Sequence, residues 1–406
     1  MNHPAPLDRE EAHILERAAA APMLAQVERW AAINSGSRNL AGLALMAEEL
    51  TSAFAVLPGD IALLEAAPAD AVAADGARVA IAHGRNLHLA VRPDAPVQIL
   101  LTGHMDTVFA ADHPFQALRW LPDGTLNGPG VADMKGGIAV MLAALSAIEA
   151  SPLAPRIGYE VVINSDEEVG SAGSAPLIAR AARGKAAALT YEPSALPDGT
   201  LAGARPGSGN FSAVITGRAA HAGRNPEDGR NAIVAAADCA LRLARAARAG
   251  LSVNPARIDG GGPNNVVPDH AILRFNLRPA TPQDEAQARA IIDAVIAEVS
   301  AEHGVSIHLH GGFGRPPKPM DAAAERLYAL VRDCGADLGL KLGWKPTGGV
   351  CDGNNIAACG VPVVDTMGVR GGAIHSGEEY LIVDSLGERA RLSALVLLRL
   401  AAGRHA

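Results

Sequence analysis

Five segments of this sequence place histidines or carboxylates where a strand or a glycine turn ends. They are His104 and Asp106 in "LLTGHMDTVF", Asp133 in "NGPGVADMKGG", Glu167 and Glu168 in "VVINSDEEVGS", Glu192 in "ALTYEPS", and His375 in "GGAIHSGEEY". In an open α/β sheet the ligand crevice lies beyond the carboxyl ends of the strands. We therefore expect these side chains to converge on one site.

Two histidines and several carboxylates form a ligand set that suits zinc, with cobalt or manganese as lesser options. Carboxylates brought together repel one another unless cations lie among them. More than four ligands indicates two metal ions that share one carboxylate, and such ions lie about 3.5–4 Å apart in two-metal hydrolases. The pattern predicts metal-assisted hydrolysis.

Each segment alone has an ordinary explanation. Asp133 beside glycines could cap a helix. Glu167 and Glu168 could form a solvated strand end, Glu192 before a proline is common loop chemistry, and a lone His375 is more often a surface residue than a ligand. The joint occurrence of five metal-compatible strand ends favours the metal site.

Composition limits the class of protein. A chain of 406 residues with 49% hydrophobic and 19% charged residues predicts folded domains, and its length favours two of them. The formal net charge of −8 argues against a nucleic-acid partner. The four cysteines lack CxxC spacing, so they do not indicate a metal or redox motif. The N-terminal stretch is acidic where a signal peptide is basic, and no run of about 18 apolar residues that could span a membrane occurs. We expect a soluble cytoplasmic protein without a membrane partner.

The order of predicted elements indicates one domain inserted into another. Strand and helix patterns alternate up to residue 206, which is typical of an α/β domain with a sheet between helices. Residues 207–314 follow the order βαββαβ of a compact α+β domain. The alternation of strand and helix patterns resumes over 315–406, after "GRPPKP". The predicted domains are 1–206 and 315–406 for the first unit, with 207–314 inserted.

The sequence resembles the M20 metallopeptidase family, and within it the carboxypeptidase G2 (glutamate carboxypeptidase) type. The motifs "GHMDTV", "GPGVADMKGG", "SDEEVGS", "YEPS", "GRAAHAG", "NVVPDHA" and "HSGEEY" occur in the family's order over nearly the whole chain. The resemblance implies a zinc-exopeptidase-like catalytic domain, a mixed sheet flanked by helices, with an inserted ferredoxin-like domain that serves as lid and dimer interface. It also implies cleavage of an amide bond that releases an amino acid with a free carboxylate.

The same resemblance assigns roles to the metal-site residues. His104 and Glu192 would bind one Zn²⁺, Glu168 and His375 the other, and Asp133 would bridge them. Asp106 would orient His104. Glu167 would be the general base that activates a zinc-bound hydroxide.

Further roles fall on the inserted domain and on two loops. His221 would reach the partner's active site in a homodimer formed through residues 207–314 and stabilise the oxyanion. Asn265 and Arg278 match positions that hold the substrate carboxylate, which suits the planar guanidinium of arginine. Gly349 and neighbouring glycines would let backbone approach the substrate.

Two departures fall near the expected specificity pocket. Cys351 stands where the family has threonine or serine, and Arg370 stands in the loop before His375 where this type has an apolar or small residue. Arg370 would either select a second acidic group on the substrate or point to solvent. Both departures leave a folate-type or simple C-terminal glutamate substrate in question.

Several functions stay open at this point. An N-acyl-amino-acid deacylase, like acetylornithine or succinyl-diaminopimelate deacylases, uses the same chemistry on a different acyl group. A carbamoylase is disfavoured because that branch has histidine where Glu192 stands. A non-catalytic binding relative would have lost a ligand or the base, and a thiol enzyme built on Cys351 would need a partner residue that the sequence does not supply.

Overall fold

The computed structural model describes residues 7–403, and the elements run in the predicted order. Residues 1–6 and 404–406, which begin and end the predicted catalytic domain, lie outside the described part. The elements up to the insertion are α1 (Arg9–Ala19), α2 (Met23–Ala31), α3 (Leu40–Phe54), β1 (Asp60–Leu64), β2 (Ala69–Val72), β3 (Arg78–Ile81), β4 (Asn86–Val91), β5 (Val97–His104), β6 (Arg119–Trp120), β7 (Leu126–Asn127), α4 (Gly136–Ile148), β8 (Ile157–Asn164), α5 (Ala175–Ala182), β9 (Ala187–Thr190) and β10 (Leu201–Ala202).

The remaining elements belong to the inserted segment and to the return into the first domain. The inserted elements are β11 (Ser208–Thr216), β12 (Ala220–His221), α6 (Ala232–Arg245), β13 (Leu251–Gly260), β14 (Val266–Val267), β15 (His270–Pro279), α7 (Pro282–His303) and β16 (Ser306–Arg315). The returning elements are α8 (Ala322–Asp337), β17 (Trp344–Lys345), α9 (Asp352–Ala358), β18 (Val363–Val364), β19 (Gly371–Gly372), β20 (Tyr380–Leu381) and α10 (Ser385–Ala401).

The main sheet of the described residues is mixed. Its strands lie in the order β1-β4-β8-β5-β9-β18. The four strands from β8 to β18 are parallel, whereas β4 runs antiparallel to both β8 and β1. The carboxyl ends of β5, β8 and β9 therefore meet at one edge, where the predicted ligands follow them.

Helices cover both faces of this sheet because the buried strands are apolar on both sides. Ile99 and Leu101 of β5 belong to the core that includes α4 and α10, whereas Leu100 between them packs with Ile178 of α5 and Ile356 of α9. This alternation of side chains is the period of a strand. The mixed sheet flanked by helices confirms the predicted fold class.

One apolar segment has the length and hydropathy of a membrane span. Val131–Ile148 has a mean hydropathy of 1.6 over 18 residues, but 94% of the segment is buried inside the protein. It includes α4, whose packing partners α1, α2 and α10 surround it. The hydropathy of this segment is accounted for by its place in the core.

The inserted segment builds a second sheet with its own core. The described strands lie in the order β13-β15-β11-β16, all antiparallel. Phe211, Ala213 and Ile215 of β11 face α6 and α7, and their core is separate from that of the main sheet. The order βαββαβ with this strand order is the ferredoxin-like arrangement, as predicted.

The two connections to the inserted domain run side by side. The backbone N–H of Arg205 donates to the carbonyl of Lys318 at 2.9 Å, and the N–H of Lys318 donates back to Arg205 at 3.0 Å. Ser208 and Arg315 are paired in register at the end of the inserted sheet. The predicted boundaries at 206/207 and 314/315 stay predictions.

Candidate active site

The predicted ligands gather at the carboxyl edge of the main sheet. His104 is the last residue of β5, Glu167 and Glu168 form a short turn after β8, and Glu192 follows β9 by two residues. His375 lies between β19 and β20 with a φ of 63°, in the left-handed region that residues other than glycine rarely adopt. Strained backbone of this kind clusters at functional sites.

Asp133 lies between the two histidines. Its Oδ1 lies 3.1 Å from Nε2 of His104, and its Oδ2 lies 3.3 Å from Nε2 of His375. The aspartate lies in the turn directly before α4, and the start of that helix is packed so closely that a side chain on Gly137 would come within 2.0 Å of the carbonyl oxygen of Tyr191. A carboxylate with one oxygen towards each histidine has the geometry of a bridging metal ligand.

The remaining two carboxylates divide between the histidines. Glu192 Oε2 lies 3.7 Å from Nε2 of His104, and Glu168 Oε2 lies 3.1 Å from Nε2 of His375. Ligand atoms of His104, Asp133 and Glu168 lie within 4.8 Å of one another. The contacts thus form two three-residue groups that share Asp133.

The electrostatics of these carboxylates fit a site for cations. Burial, together with the nearby Asp133, raises the pKa of Glu192 to about 8 and that of Glu168 to about 7. Glu192 Oε1 is buried and accepts no hydrogen bond from the described residues. Buried carboxylates cannot all stay ionised without a compensating charge, and a metal pair supplies it. The residues present fit two metal ions.

Asp106 links the first histidine to the turn that follows β8. Its backbone carbonyl lies 3.0 Å from Nδ1 of His104, and its carboxylate Oδ1 lies 3.4 Å from the same nitrogen. The carboxylate also accepts hydrogen bonds at 3.1 Å from the backbone N–H groups of Glu167 and Glu168. Asp106 therefore holds two parts of the site in register, which is the usual task of residues behind metal ligands.

Glu379 supports the backbone that carries Asp133, a role that the sequence did not indicate. Its Oε1 accepts from the backbone N–H groups of Ala132 and Asp133, each at 3.0 Å, and its Oε2 accepts from Gly130 at 3.1 Å. The side chain is buried. The motif "HSGEEY" contains Glu379, but nothing in the motif shows that it reaches the turn before α4.

Glu167 faces the cavity and is held by a buried arginine. Arg315 donates from Nη2 to Glu167 Oε1 at 2.6 Å and to the Glu167 carbonyl at 3.2 Å. Burial raises the pKa of Glu167 to about 8, and Arg315 opposes that rise. A carboxyl with a pKa near the working pH suits a general acid–base catalyst.

A cavity of about 260 Å³ opens over these groups. It is lined by six of the predicted residues, Asp133, Glu167, Glu168, Glu192, Gly349 and His375. Arg205, Thr347 and Cys351 form another part of its wall. Cys351 is buried, with Sγ 3.6 Å from Asp365 Oδ2, and its burial raises its pKa well above the usual thiol value.

The other predicted residues lie outside this group of histidines and carboxylates. Arg278 reaches the edge of the cavity, where Nη1 donates to the Gly348 carbonyl at 2.8 Å. His221 and Asn265 lie on the exposed surface of the inserted domain, and the cavity within one chain does not include them. Arg370 is turned away, because its Nη1 donates to Glu388 at 2.9 Å and its Nε donates to the Pro197 carbonyl at 2.8 Å.

Comparison with known sequences gives one protein family for most of the chain. Residues 100–399 match the model of peptidase family M20/M25/M40. Carboxypeptidase G2 of Pseudomonas sp. (strain RS-16) is 30% identical over 314 residues, which cover 75% of this chain and 74% of that protein. Succinyl-diaminopimelate desuccinylase of Psychrobacter arcticus is 30% identical over 325 residues, covering 74% of this chain and 77% of that protein.

Solved structures share the fold over nearly the whole chain. A tripeptidase from Staphylococcus aureus has a TM-score of 0.70 at 23% identity and covers 96% of this chain and 99% of that one. An M20 family metallo-carboxypeptidase from Sulfolobus solfataricus has a TM-score of 0.70 at 13% identity, covering 94% of this chain and 99% of that one. At these identities the likeness establishes the fold.

Proposed function

Because the chain belongs to peptidase family M20/M25/M40, we propose that it is a dinuclear zinc hydrolase that cleaves an amide bond of an N-acyl amino acid or short peptide. The observation that carries this proposal is the position of Asp133, with one oxygen towards His104 and the other towards His375. Carboxypeptidase G2 and the desuccinylase are the relatives whose names support an amino-acid product.

The contacts between these side chains support the ligand set that the family resemblance implies. His104 and Glu192 would hold one ion, Glu168 and His375 would hold the other, and Asp133 would bridge them. Imidazole and carboxylate donors suit Zn²⁺, and Co²⁺ or Mn²⁺ would substitute. When bound, the metal pair polarises the scissile carbonyl and lowers the pKa of the attacking water.

Glu167 carries the proton transfers. It takes a proton from the attacking water and delivers it to the leaving nitrogen, so that the amide yields a carboxylate and a free amine. Its carboxylate lines the cavity beside the proposed ligands and is ion-paired with Arg315. Asp106 keeps Glu167 and Glu168 in place through their backbone N–H groups.

The active site is completed by a second copy of the chain. His221 and Asn265 are exposed on the inserted domain, and they are supplied to the partner subunit's cavity in a homodimer formed through residues 207–314. His221 then stabilises the oxyanion that develops on the scissile carbonyl. Asn265 and Arg278 bind the carboxylate of the amino-acid portion.

A second candidate is an N-acyl-amino-acid deacylase. The desuccinylase relatives support it, and the same metal site and Glu167 would serve because only the acyl group differs. The guanidinium of Arg370 is bound by Glu388, so it does not serve to select a second acidic group on the substrate. In both cases the substrate is a small molecule, the enzyme acts in the cytoplasm, and no nucleic acid takes part.

Mass spectrometry of a substrate panel tests the proposal. Zinc-loaded protein is incubated with N-acyl amino acids, dipeptides and folate-like conjugates, with Glu167→Gln as the matched blank. We expect the wild type alone to release free amino acids from one part of the panel. Release of nothing by a protein that holds two metal ions would contradict the proposed activity.

A further inference from the structure

Arg315 occupies the junction between the two domains and also touches the predicted base. It is the last residue of β16, the edge strand on which the chain leaves the inserted domain, and it pairs in register with Ser208 at the entry strand. Its side chain is 5% exposed. A buried guanidinium is costly unless it is paired with carboxylates and hydrogen-bonded, so its partners indicate its task.

Every partner of this guanidinium lies in the catalytic domain. Nη1 donates to Asp352 and, at 2.8 Å, to Asn355 Oδ1. Nη2 donates to Glu167 Oε1 at 2.6 Å and to Ser171 Oγ at 3.0 Å. One arginine therefore connects the exit of the inserted domain, the start of α9 and the turn that carries Glu167.

Asp352 fixes the far side of the guanidinium. It accepts from Asn164 Nδ2 at 2.8 Å and from Ser171 Oγ at 2.6 Å, besides the donation from Arg315. Asn164 is the last residue of β8, directly before the turn with the base. The planar guanidinium is thus held on one edge by the rigid sheet and presents its other edge to Glu167.

The contact leaves one oxygen of the base for chemistry. Arg315 engages Oε1 of Glu167, whereas Oε2 accepts no hydrogen bond from any residue between 7 and 403. A carboxylate held on one oxygen cannot rotate freely about its last side-chain bond. A base fixed in a reactive orientation matters because misplacement by about 1 Å costs up to about 10²-fold in rate.

We propose that Arg315 is a positioning residue for the hydrolysis, which orients Glu167 and binds it to the hinge of the inserted domain, the paired connections at residues 205–208 and 315–318. The inference rests on the proposed role of Glu167 as general base. Because the backbone of Arg315 belongs to the strand that leaves the inserted domain, the orientation of the base depends on where that domain sits.

Two substitutions of Arg315 separate orientation from charge. Arg315→Met removes the guanidinium. Arg315→Lys keeps the positive charge, but a lysine ammonium lacks the planar fork that lets one side chain bind Glu167 and Asp352 at the same time. We expect kcat to fall about 10²-fold in Arg315→Met and about tenfold in Arg315→Lys, while KM changes less than about twofold and two metal ions stay bound. Arg315→Lys decides the matter if Arg315→Met does not fold.

Lys318→Met is the matched control. Lys318 is another buried cation of the same hinge, with Nζ 3.1 Å from Asp365, but it makes no contact with Glu167. We expect Lys318→Met to keep kcat within about twofold of wild type, because Arg205 still neutralises Asp365. An equal loss of kcat in Lys318→Met and Arg315→Met would show a general effect of the hinge and overturn the inference.

The double variant Arg315→Met/Glu167→Gln tests whether Arg315 acts through Glu167 or only stabilises the structure. If Arg315 acts through Glu167, then Arg315→Met lowers the residual kcat of Glu167→Gln no further, because the group that it orients is already gone. A further loss in the double variant equal to that in the single variant would overturn the inference.

The same variants distinguish a failure of the positioning role from a failure of the proposed function. If Glu167→Gln is inactive but Arg315→Lys keeps the wild-type kcat, the positioning role of Arg315 alone is contradicted. If Glu167→Gln is fully active, both the assignment of the base and the role of Arg315 are contradicted.

Discussion

Asp133 Oδ2 lies 3.3 Å from Nε2 of His375, while Oδ1 of the same carboxylate lies 3.1 Å from Nε2 of His104. The two histidines are separated by most of the chain, one at the end of β5 and the other in the loop before β20. One carboxylate is therefore the common member of the two proposed ligand groups. The proposed dinuclear chemistry depends on this relationship, and Glu379 and Asp106 are the residues that keep it in place.

Replacing Glu379 with glutamine is expected to weaken metal binding. Glu379 accepts three backbone N–H groups from the turn that carries Asp133, and a glutamine amide would turn a donor towards part of that turn. Residues behind metal ligands typically contribute 10–100-fold in affinity, and we expect a loss of about that size in competition with a chelator. Glu378→Gln, the exposed neighbour, is the control, and an equal affinity for both variants would contradict the role of Glu379.

Thiol reagents are expected to leave the activity intact. Cys359 is exposed, whereas Cys351 in the cavity wall is buried and its pKa is raised well above the usual value by that burial. The thiolate is the reactive form, so alkylation reaches Cys359 first. We expect complete labelling of Cys359 by iodoacetamide with unchanged kcat, no labelling in Cys359→Ser, and loss of activity with a chelator. Inactivation that follows labelling of Cys351 would favour a thiol enzyme.

Asp365 is expected to make the hinge sensitive to acid. Its burial raises its pKa, but the nearby Arg205 and Lys318 outweigh that effect and the pKa is lowered overall. A lowered pKa in the folded state means that the stabilisation is complete above the unfolded value near pH 4 and is lost as the pH falls below it. Removing one partner of a buried ion pair costs about 3–5 kcal/mol, which we expect for Asp365→Asn at pH 7.

Urea unfolding of metal-free protein measures this effect without interference from the metal site. The wild type should lose stability between pH 5 and pH 3, and Asp365→Asn should show a smaller change over the same range. Asp112→Asn, an exposed aspartate, is the control and should follow the wild type. Parallel curves for Asp365→Asn and the wild type would exclude an ionised Asp365 in the hinge.

Mixed dimers test whether His221 acts in the partner subunit. Glu167→Gln and His221→Ala are each expected to be nearly inactive as pure proteins. In a heterodimer the His221→Ala chain keeps its own Glu167 and receives His221 of the Glu167→Gln chain, so one of the two sites is intact. Co-expression at equal levels should restore about a quarter of the wild-type activity, because half of the dimers are mixed and half of their sites are intact.

The control for this experiment is a chain that carries both substitutions, co-expressed with Glu167→Gln. That pair has no intact site in either arrangement and should stay inactive. An active His221→Ala homodimer, or mixed dimers without recovered activity, would contradict the assignment of His221 to the partner's cavity.

The convergence of the candidate ligands was predictable because the signal of each one is local. His104 ends the apolar strand β5, Glu167 and Glu192 follow the strands β8 and β9, and parallel strands end at one edge of a sheet. Residue type and position therefore predict that these side chains converge. The fold class follows from the same alternation of strands and helices and from the βαββαβ order of the insertion. The structure confirms both sheets.

Two of the supporting residues were not predictable, because their contacts join distant parts of the chain. Arg315 lies 148 residues from Glu167 in sequence, within a segment that reads as a linker, and Glu379 lies 246 residues from Asp133. For Arg370 the sequence suggested a contact that the structure does not show, because its loop lies near the expected specificity pocket. Glu388 at the start of α10 binds the guanidinium of Arg370 instead, and this contact depends on how α10 packs against the loop.

The number of bound metal ions tests the central claim most directly. Wild-type protein and Asp133→Asn are loaded with zinc, freed of excess metal and analysed by elemental mass spectrometry, with circular dichroism as the check on folding. We predict about two ions per wild-type chain and fewer than about one per Asp133→Asn chain, because both ions lose the shared ligand. A folded Asp133→Asn protein that keeps two ions, or a wild type that binds only one, would contradict the dinuclear site.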